Sequence, residues 1–152
     1  MIDELTKAIE VLLVEDSPSD VRLMVEILKS RGGLAHLTLA QDGEEALTLL
    51  RGSGECPSHW RPNLILLDLN LPRKDGRELL ADIKSDPSLK RIPVIVLTTS
   101  RARQDVDMAY DLHANCYITK PVDLDDYVKV VKAIEDFWFH QVMLSQDDEN
   151  DS

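Results

Sequence analysis

Polar residues able to do chemistry stand directly after apolar runs at four separated places in the chain. Glu15 and Asp16 follow Val11-Leu12-Leu13-Val14, and Asp68 follows Leu64-Ile65-Leu66-Leu67. Thr98 ends Val94-Ile95-Val96-Leu97, and Lys120 follows Tyr117-Ile118-Thr119. If those runs lie side by side, three carboxylates converge while a hydroxyl and an ammonium approach from the other side. Carboxylates packed together repel, and at neutral pH they need a cation or must take up protons. Hard oxygen ligands with room for water suit Mg²⁺. A divalent ion held this way can clamp a phosphoryl group, leaving a carboxylate free to attack it and form an acyl phosphate. Lys120 would neutralise phosphoryl oxygens and the Thr98 hydroxyl could donate a hydrogen bond to them. Any one acid at a strand end is more often a helix cap or a solvated loop residue. All four groups in the right order make a site.

The elements that must position these groups follow from the hydrophobic pattern. Runs of four or five apolar residues without polar alternation predict strands buried on both faces, as in a parallel sheet. Weaker strands are predicted at Ala35 to Ala40 and Cys116 to Thr119. Helical spacing of Val21, Leu23, Met24, Ile27 and Leu28 predicts a helix over Pro18 to Ser30, with Ser17 as N-cap, Pro18 at its first position and Gly32-Gly33 ending it. Asp42 to Arg51, Gly76 to Lys84 and Arg103 to Leu112 predict three more, and Asp123 opens a last, long one. Strand and helix alternate five times, which implies a doubly wound α/β fold with right-handed crossovers. In such sheets ligands bind beyond the carboxyl ends of the strands, where the strand order reverses. That is where the polar residues fall.

A length of 152 residues suits one domain with a real core. The net charge of −11 argues against nucleic acid or an anionic membrane as partner. Part of that charge sits in an acidic terminal stretch with Asp147, Asp148, Glu149 and Asp151. No apolar run is long enough to span a membrane and the first residues lack signal-peptide character, so a cytoplasmic location is expected. Cys56 and Cys116 form no CxxC pair, and His36, His59, His113 and His140 do not cluster, so neither a disulfide nor a zinc site is expected.

Four motifs in order, VLLVEDSPSD, PNLILLDLNLPRKDGREL, IPVIVLTTS and YITKP, give the chain over about residues 10 to 140 a specific resemblance to the receiver domain of bacterial two-component response regulators. The resemblance implies a flavodoxin-like five-stranded parallel sheet of order 2-1-3-4-5 with five helices. It implies that Asp68 accepts a phosphoryl group from a histidine kinase. It also implies that Mg²⁺ is bound by Asp16, Asp68 and the backbone carbonyl of Asn70, with Glu15 acting largely through water. Lys120 would contact the phosphoryl group, the bond before Pro121 would be cis, and Thr98 and Tyr117 would form a switch pair. Asn70 and Ser100 would line the path of attacking water. One departure is Asp111-Leu112-His113-Ala114-Asn115, where many receivers have a Gly-Ala turn, which leaves the local loop conformation open.

Only 31 residues follow YITKP, too few for an effector domain with its own core, so output is expected to pass through surfaces. The expected organisation is an N-terminal extension (1–9), a receiver domain with a C-terminal helical arm (10–144) and an acidic, disordered tail (145–152). Apolar residues cover about 220° of the last helix, wider than one sheet face needs. This predicts a homodimer through the helix 4, strand 5, helix 5 face, with Val130, Ile134, Phe137, Trp138 and Leu144 at the interface; the alternative is an arm folded back on its own domain. The arm and its Phe137-Trp138-Phe139 segment resemble small regulators that serve phytochrome-type histidine kinases. An aspartyl-phosphate phosphatase of haloacid-dehalogenase type would place a second Asp two residues after the nucleophile, and Asn70 stands there. That favours a slowly hydrolysed signal over a turnover enzyme. A receiver-fold scaffold that is never phosphorylated is the third reading, disfavoured by the intact acidic pair, Asp68, Thr98 and Lys120.

Overall fold

The computed structural model describes residues 9–30, 35–52, 60–141, 143 and 144. The elements run β1 (Ile9–Val14), α1 (Pro18–Ser30), β2 (Ala35–Ala40), α2 (Gly43–Leu50), β3 (Leu64–Leu67), α3 (Gly76–Ser85), β4 (Val94–Thr98), α4 (Arg103–Asp111), β5 (Cys116–Thr119) and α5 (Leu124–Ile134). A π-helical segment, Glu135–Gln141, continues α5. The five strands form one sheet of order β2-β1-β3-β4-β5, every neighbouring pair parallel. This is the expected order, and the two weaker strands have the expected bounds.

Because side chains alternate across a strand, each central strand feeds two cores. Leu12, Val14, Ile65, Leu67, Val94 and Val96 pack against Ala46, Leu47 and Leu50 of α2, Leu79, Leu80 and Ile83 of α3, and Ala109 of α4. Val11, Leu13, Leu64, Leu66, Ile95 and Leu97 pack against Met24, Ile27 and Leu28 of α1 and Tyr127, Val131 and Ile134 of α5. Burial on both faces is why these strands carry no polar alternation. Each fully buried aliphatic side chain contributes about 1.5–3 kcal/mol.

The helix starts are set by acids. Asp42 caps α2 by accepting from the Glu45 amide at 2.8 Å, Asp75 closes a capping box with Glu78 on α3, and Asp123 accepts from the Asp126 amide at the start of α5. Helix α4 ends in a Schellman motif: His113 N–H donates to the Tyr110 carbonyl and Ala114 N–H to the Ala109 carbonyl, both at 2.9 Å. His113 itself takes the left-handed conformation, φ 73°. The conformation left open by the missing glycine is thus the glycine one, adopted by a histidine at some cost.

Three expectations meet other outcomes. There is no cis peptide bond among the described residues, so the Lys120–Pro121 bond is trans, the lower-energy isomer of an X–Pro bond. The first strand begins at Ile9, inside the stretch expected to be an extension. The last helix changes from α to π hydrogen bonding at Glu135, and Met143 and Leu144 are not helical. Gly32, Gly33, Cys56, His59, Val142, residues 1–8 and the 145–152 tail lie outside the described residues.

Candidate phosphoryl-acceptor site

The register of the sheet brings the carboxylates together. The Glu15 amide donates to the Ala40 carbonyl at 2.9 Å and the Asp68 amide to the Val14 carbonyl at 3.1 Å, so both residues extend the hydrogen-bond ladder by one step beyond the apolar runs. Lys120 is fixed in the same way by its amide, which donates to the Thr98 carbonyl at 2.7 Å. One carboxylate oxygen from each of Glu15, Asp16 and Asp68 lies within 4.8 Å of the others. Glu15 and Asp68 are buried, at 5% and 8% exposure, whereas Asp16 opens to solvent.

Lys120 reaches into this group. Its Nζ donates to Glu15 Oε1 at 2.6 Å, Asp20 Oδ2 at 2.8 Å and Asp68 Oδ2 at 3.1 Å. All three ammonium donors are therefore committed. Burial opposes the charge on Lys120, but the hydrogen bonds to Asp20 and Glu15 prevail and raise its pKa. Burial pushes the Glu15 carboxyl up to about 7, with Lys120 opposing and Asp68 adding to the rise. One ammonium does not neutralise this many acids. The hard oxygen donors and the surplus negative charge fit a divalent cation, which would supply the charge to hold phosphoryl oxygens.

Asp20 was not foreseen. Ser-Pro-Ser-Asp at the start of α1 matches a capping pattern, and the Asp20 amide does approach Ser17 Oγ, at 3.4 Å. Its carboxylate turns instead to Lys120. The only sequence signal was its position one helical turn after Asp16.

The loop between β3 and α3 is held around the site. The Asn70 amide donates to Asp68 Oδ1 at 3.1 Å, and Asn70 Nδ2 lies 3.5 Å from Thr98 Oγ1. Arg73, in the left-handed conformation with φ 58°, binds Asp42 through Nε at 2.8 Å and Nη2 at 2.5 Å. Burial would raise the pKa of Asp42, but the Glu45 amide and Arg73 hold it below the usual carboxylate range. At Gly76 a Cβ would collide with the Asp68 carbonyl oxygen and the Leu69 Cα. Glycine here lets α3 start directly against the backbone that carries Asp68, where Gly76 N–H donates to the Leu69 carbonyl at 3.0 Å.

Thr98 is fully buried at the end of β4 and Tyr117 is half-buried in β5. The Tyr117 hydroxyl donates to the Ser100 carbonyl at 2.9 Å, and its amide donates to the Tyr110 hydroxyl at 3.1 Å. Burial, ahead of the other contacts, raises the pKa of the Tyr117 phenol. The Ser100 hydroxyl is engaged with Asp105 Oδ2 at 2.5 Å, and Asp105 Oδ1 receives Arg77 Nη2 at 3.0 Å. A chain of polar contacts thus links α3, α4 and Tyr117 of β5.

The residues expected at an interface separate by burial. Ile134, 5% exposed, belongs to the core of its own chain, and Val130 and Trp138 pack partly against that core. Phe137 is 55% exposed, its ring edge-on to Trp138 at 5.6 Å, and Leu144 is half-buried. No helix among the described residues is long and apolar enough to cross a membrane.

Comparison with known proteins places this geometry. A family model described as the response regulator receiver domain matches residues 11–132. The chain is 52% identical over 144 residues to response regulator Rcp1 of Synechocystis sp. (strain PCC 6803), covering 95% of this chain and 98% of that protein. The crystal structure of the phosphorylated cyanobacterial phytochrome response regulator RcpA superposes with a TM-score of 0.87 at 50% identity, covering 91% of this chain and 99% of that one. The Mn²⁺-bound form of Rcp1 gives 0.85 at 52% identity, covering 90% and 99%.

Proposed function

The chain belongs to the response regulator receiver domain family and is a phosphoryl acceptor of two-component signalling, and from that premise we propose that Asp68 is the acceptor, charged by a histidine kinase of phytochrome type. A carboxylate oxygen of Asp68 attacks phosphorus on the kinase phosphohistidine; the new O–P bond forms as the P–N bond breaks, and the imidazole leaves with the electron pair. Mg²⁺ held by Asp16, Asp68 and the Asn70 carbonyl, with Glu15 acting through water, would offset the charge on the phosphoryl oxygens. Lys120 and the Thr98 hydroxyl supply the remaining donors. The observation that carries the reading is the meeting of Glu15, Asp16, Asp68 and Lys120 from three strand ends.

The added phosphoryl group brings about −1.5 to −2 charges. Drawing Thr98 towards it opens space for the Tyr117 ring, which must then exchange its bond to Ser100 for a new position. The result is a shift between two populations that changes the α4-β5-α5 face. Hydrolysis is slow and self-catalysed, with Asn70 and Ser100 near the path of water, and the protein works in the cytoplasm. Output passes through a homodimer formed by that face and the C-terminal arm, where Phe137 offers exposed aromatic surface.

The test is exposure of the whole chain to Mg²⁺ and acetyl phosphate, following phosphate incorporation and oligomer size. Wild type should take up one phosphate, labile to base, and Asp68→Asn none. Uptake that persists in Asp68→Asn would remove Asp68 as the acceptor.

A further inference from the structure

Asp20 makes a 2.8 Å hydrogen bond to the ammonium on which phosphoryl binding depends, yet it lies outside the three carboxylates grouped for a cation. Lys120 has three N–H donors, and Glu15, Asp20 and Asp68 take all three. A phosphoryl group on Asp68 can be contacted only if one of these bonds is given up. Glu15 and Asp68 belong to the cation group, and their bonds keep the ammonium at the centre of the site. The bond to Asp20 is the one that serves neither metal nor acceptor. The Asp20 side chain is one-third exposed, so its carboxylate can be rehydrated once it lets go, at smaller cost than that of Glu15, whose side chain is 6% exposed.

We propose that Asp20 is a positioning residue that tethers Lys120 in the unphosphorylated protein and must release it for the phosphoryl group to be held. The tether sets a brake on phosphorylation and ties the start of α1 to the loop after β5. The inference rests on Asp68 being the acceptor. In the unmodified chain Asp20 stops Lys120 from presenting a donor to an incoming phosphoryl oxygen. Replacing Asp20 with Asn keeps the size and an acceptor oxygen but weakens the tether, because the negative charge that attracts the ammonium is removed.

The experiment uses the whole chain with Mg²⁺ and acetyl phosphate. An Asp68 oxygen attacks phosphorus and acetate leaves with the electron pair of the broken P–O bond. Asp20→Asn should raise the initial rate of phosphate incorporation about tenfold, the scale of weakening one ion-paired hydrogen bond, and Asp20→Glu should return it towards wild type. The gain must vanish on a Lys120→Ala background, where no tether exists; a role confined to the first turn of α1 would give the same change on both backgrounds. An unchanged or slower rate in a folded Asp20→Asn protein overturns the inference, as does a gain that survives without Lys120. Should Asp20→Asn fail to fold, a crystal structure of the wild-type chain with beryllium fluoride on Asp68 decides. Lys120 Nζ is then expected beyond hydrogen-bond distance from Asp20, and an intact bond overturns the inference. Phosphate uptake by Asp68→Asn would instead overturn the acceptor assignment, so the two failures are distinguishable.

Discussion

Lys120 Nζ lies 2.6 Å from Glu15 Oε1, although 105 residues separate the two along the chain. Both side chains are 6% exposed, so each charge depends on the other for the solvation it has lost. Lys120→Met would leave Glu15, Asp20 and Asp68 facing one another without a cation. We expect a loss of about 3–5 kcal/mol in the metal-free protein at neutral pH, the range for breaking a buried pair. Urea unfolding at pH 7.5 checks this, and Mg²⁺ should recover part of the loss by supplying positive charge at the same place.

The raised pKa of Glu15 gives the metal-free protein a distinctive pH profile. Its value moves from the ordinary 4.5 up to about 7 on folding. The folded state therefore binds more protons than the unfolded chain in that window. The stabilisation from holding that proton is full below pH 4.5 and is lost as pH rises through 7. Thermal unfolding in EDTA should show this contribution declining from pH 5 to 7.5, and Glu15→Gln should flatten the decline. Metal competes with the same proton, so cation affinity measured by calorimetry should rise towards pH 7 and level off above it.

Gly76→Ala tests how closely the acceptor backbone is held. The new methyl meets the Asp68 carbonyl oxygen and the Leu69 backbone, neither of which can rotate away. A loss of about 1–3 kcal/mol is expected from overpacking. Phosphate incorporation should slow as well, because the shift falls on the residue that carries the reacting carboxylate. Chemical denaturation and acetyl phosphate uptake on the same sample read both effects.

Phe137 separates stability from assembly. With over half its surface exposed, Phe137→Glu should change folding stability by less than about 0.5 kcal/mol. A dimer that buries this ring would be weakened by a charge placed there. Sedimentation of the phosphorylated chain should shift from dimer to monomer, while Ile134→Ala, in the core of its own chain, should cost about 2–5 kcal/mol of fold instead.

The strands and the acids behind them were legible because a strand buried on both faces must be apolar along its whole length. Where it emerges, the first polar residue marks the functional edge, as Glu15 and Asp68 do, whereas Lys120 follows Thr119 at the end of the half-buried β5. Asp20 was hidden behind a competing reading, since Ser-x-x-Asp before an apolar helix also fits a cap. The Asp42–Arg73 contact was hidden for another reason: a left-handed arginine lacks the glycine that normally announces such a turn. The change to π hydrogen bonding at Glu135 left no mark either, because an extra residue per turn alters the facing of Phe137 to Phe139 without altering their composition. Long-range pairings of charge are set by the fold, and a sequence shows only the members.

The hydroxyl of Tyr110 sits on the amide of Tyr117 at the outer rim of β5, the last strand of the sheet. A bare rim is a template on which a foreign strand can grow. Here one rung of that template is already taken by a side chain of the same molecule. A partner docking on this rim can pair with the Tyr117 amide only by displacing the Tyr110 hydroxyl, so side-chain shape and charge weigh more in its selection than strand pairing does.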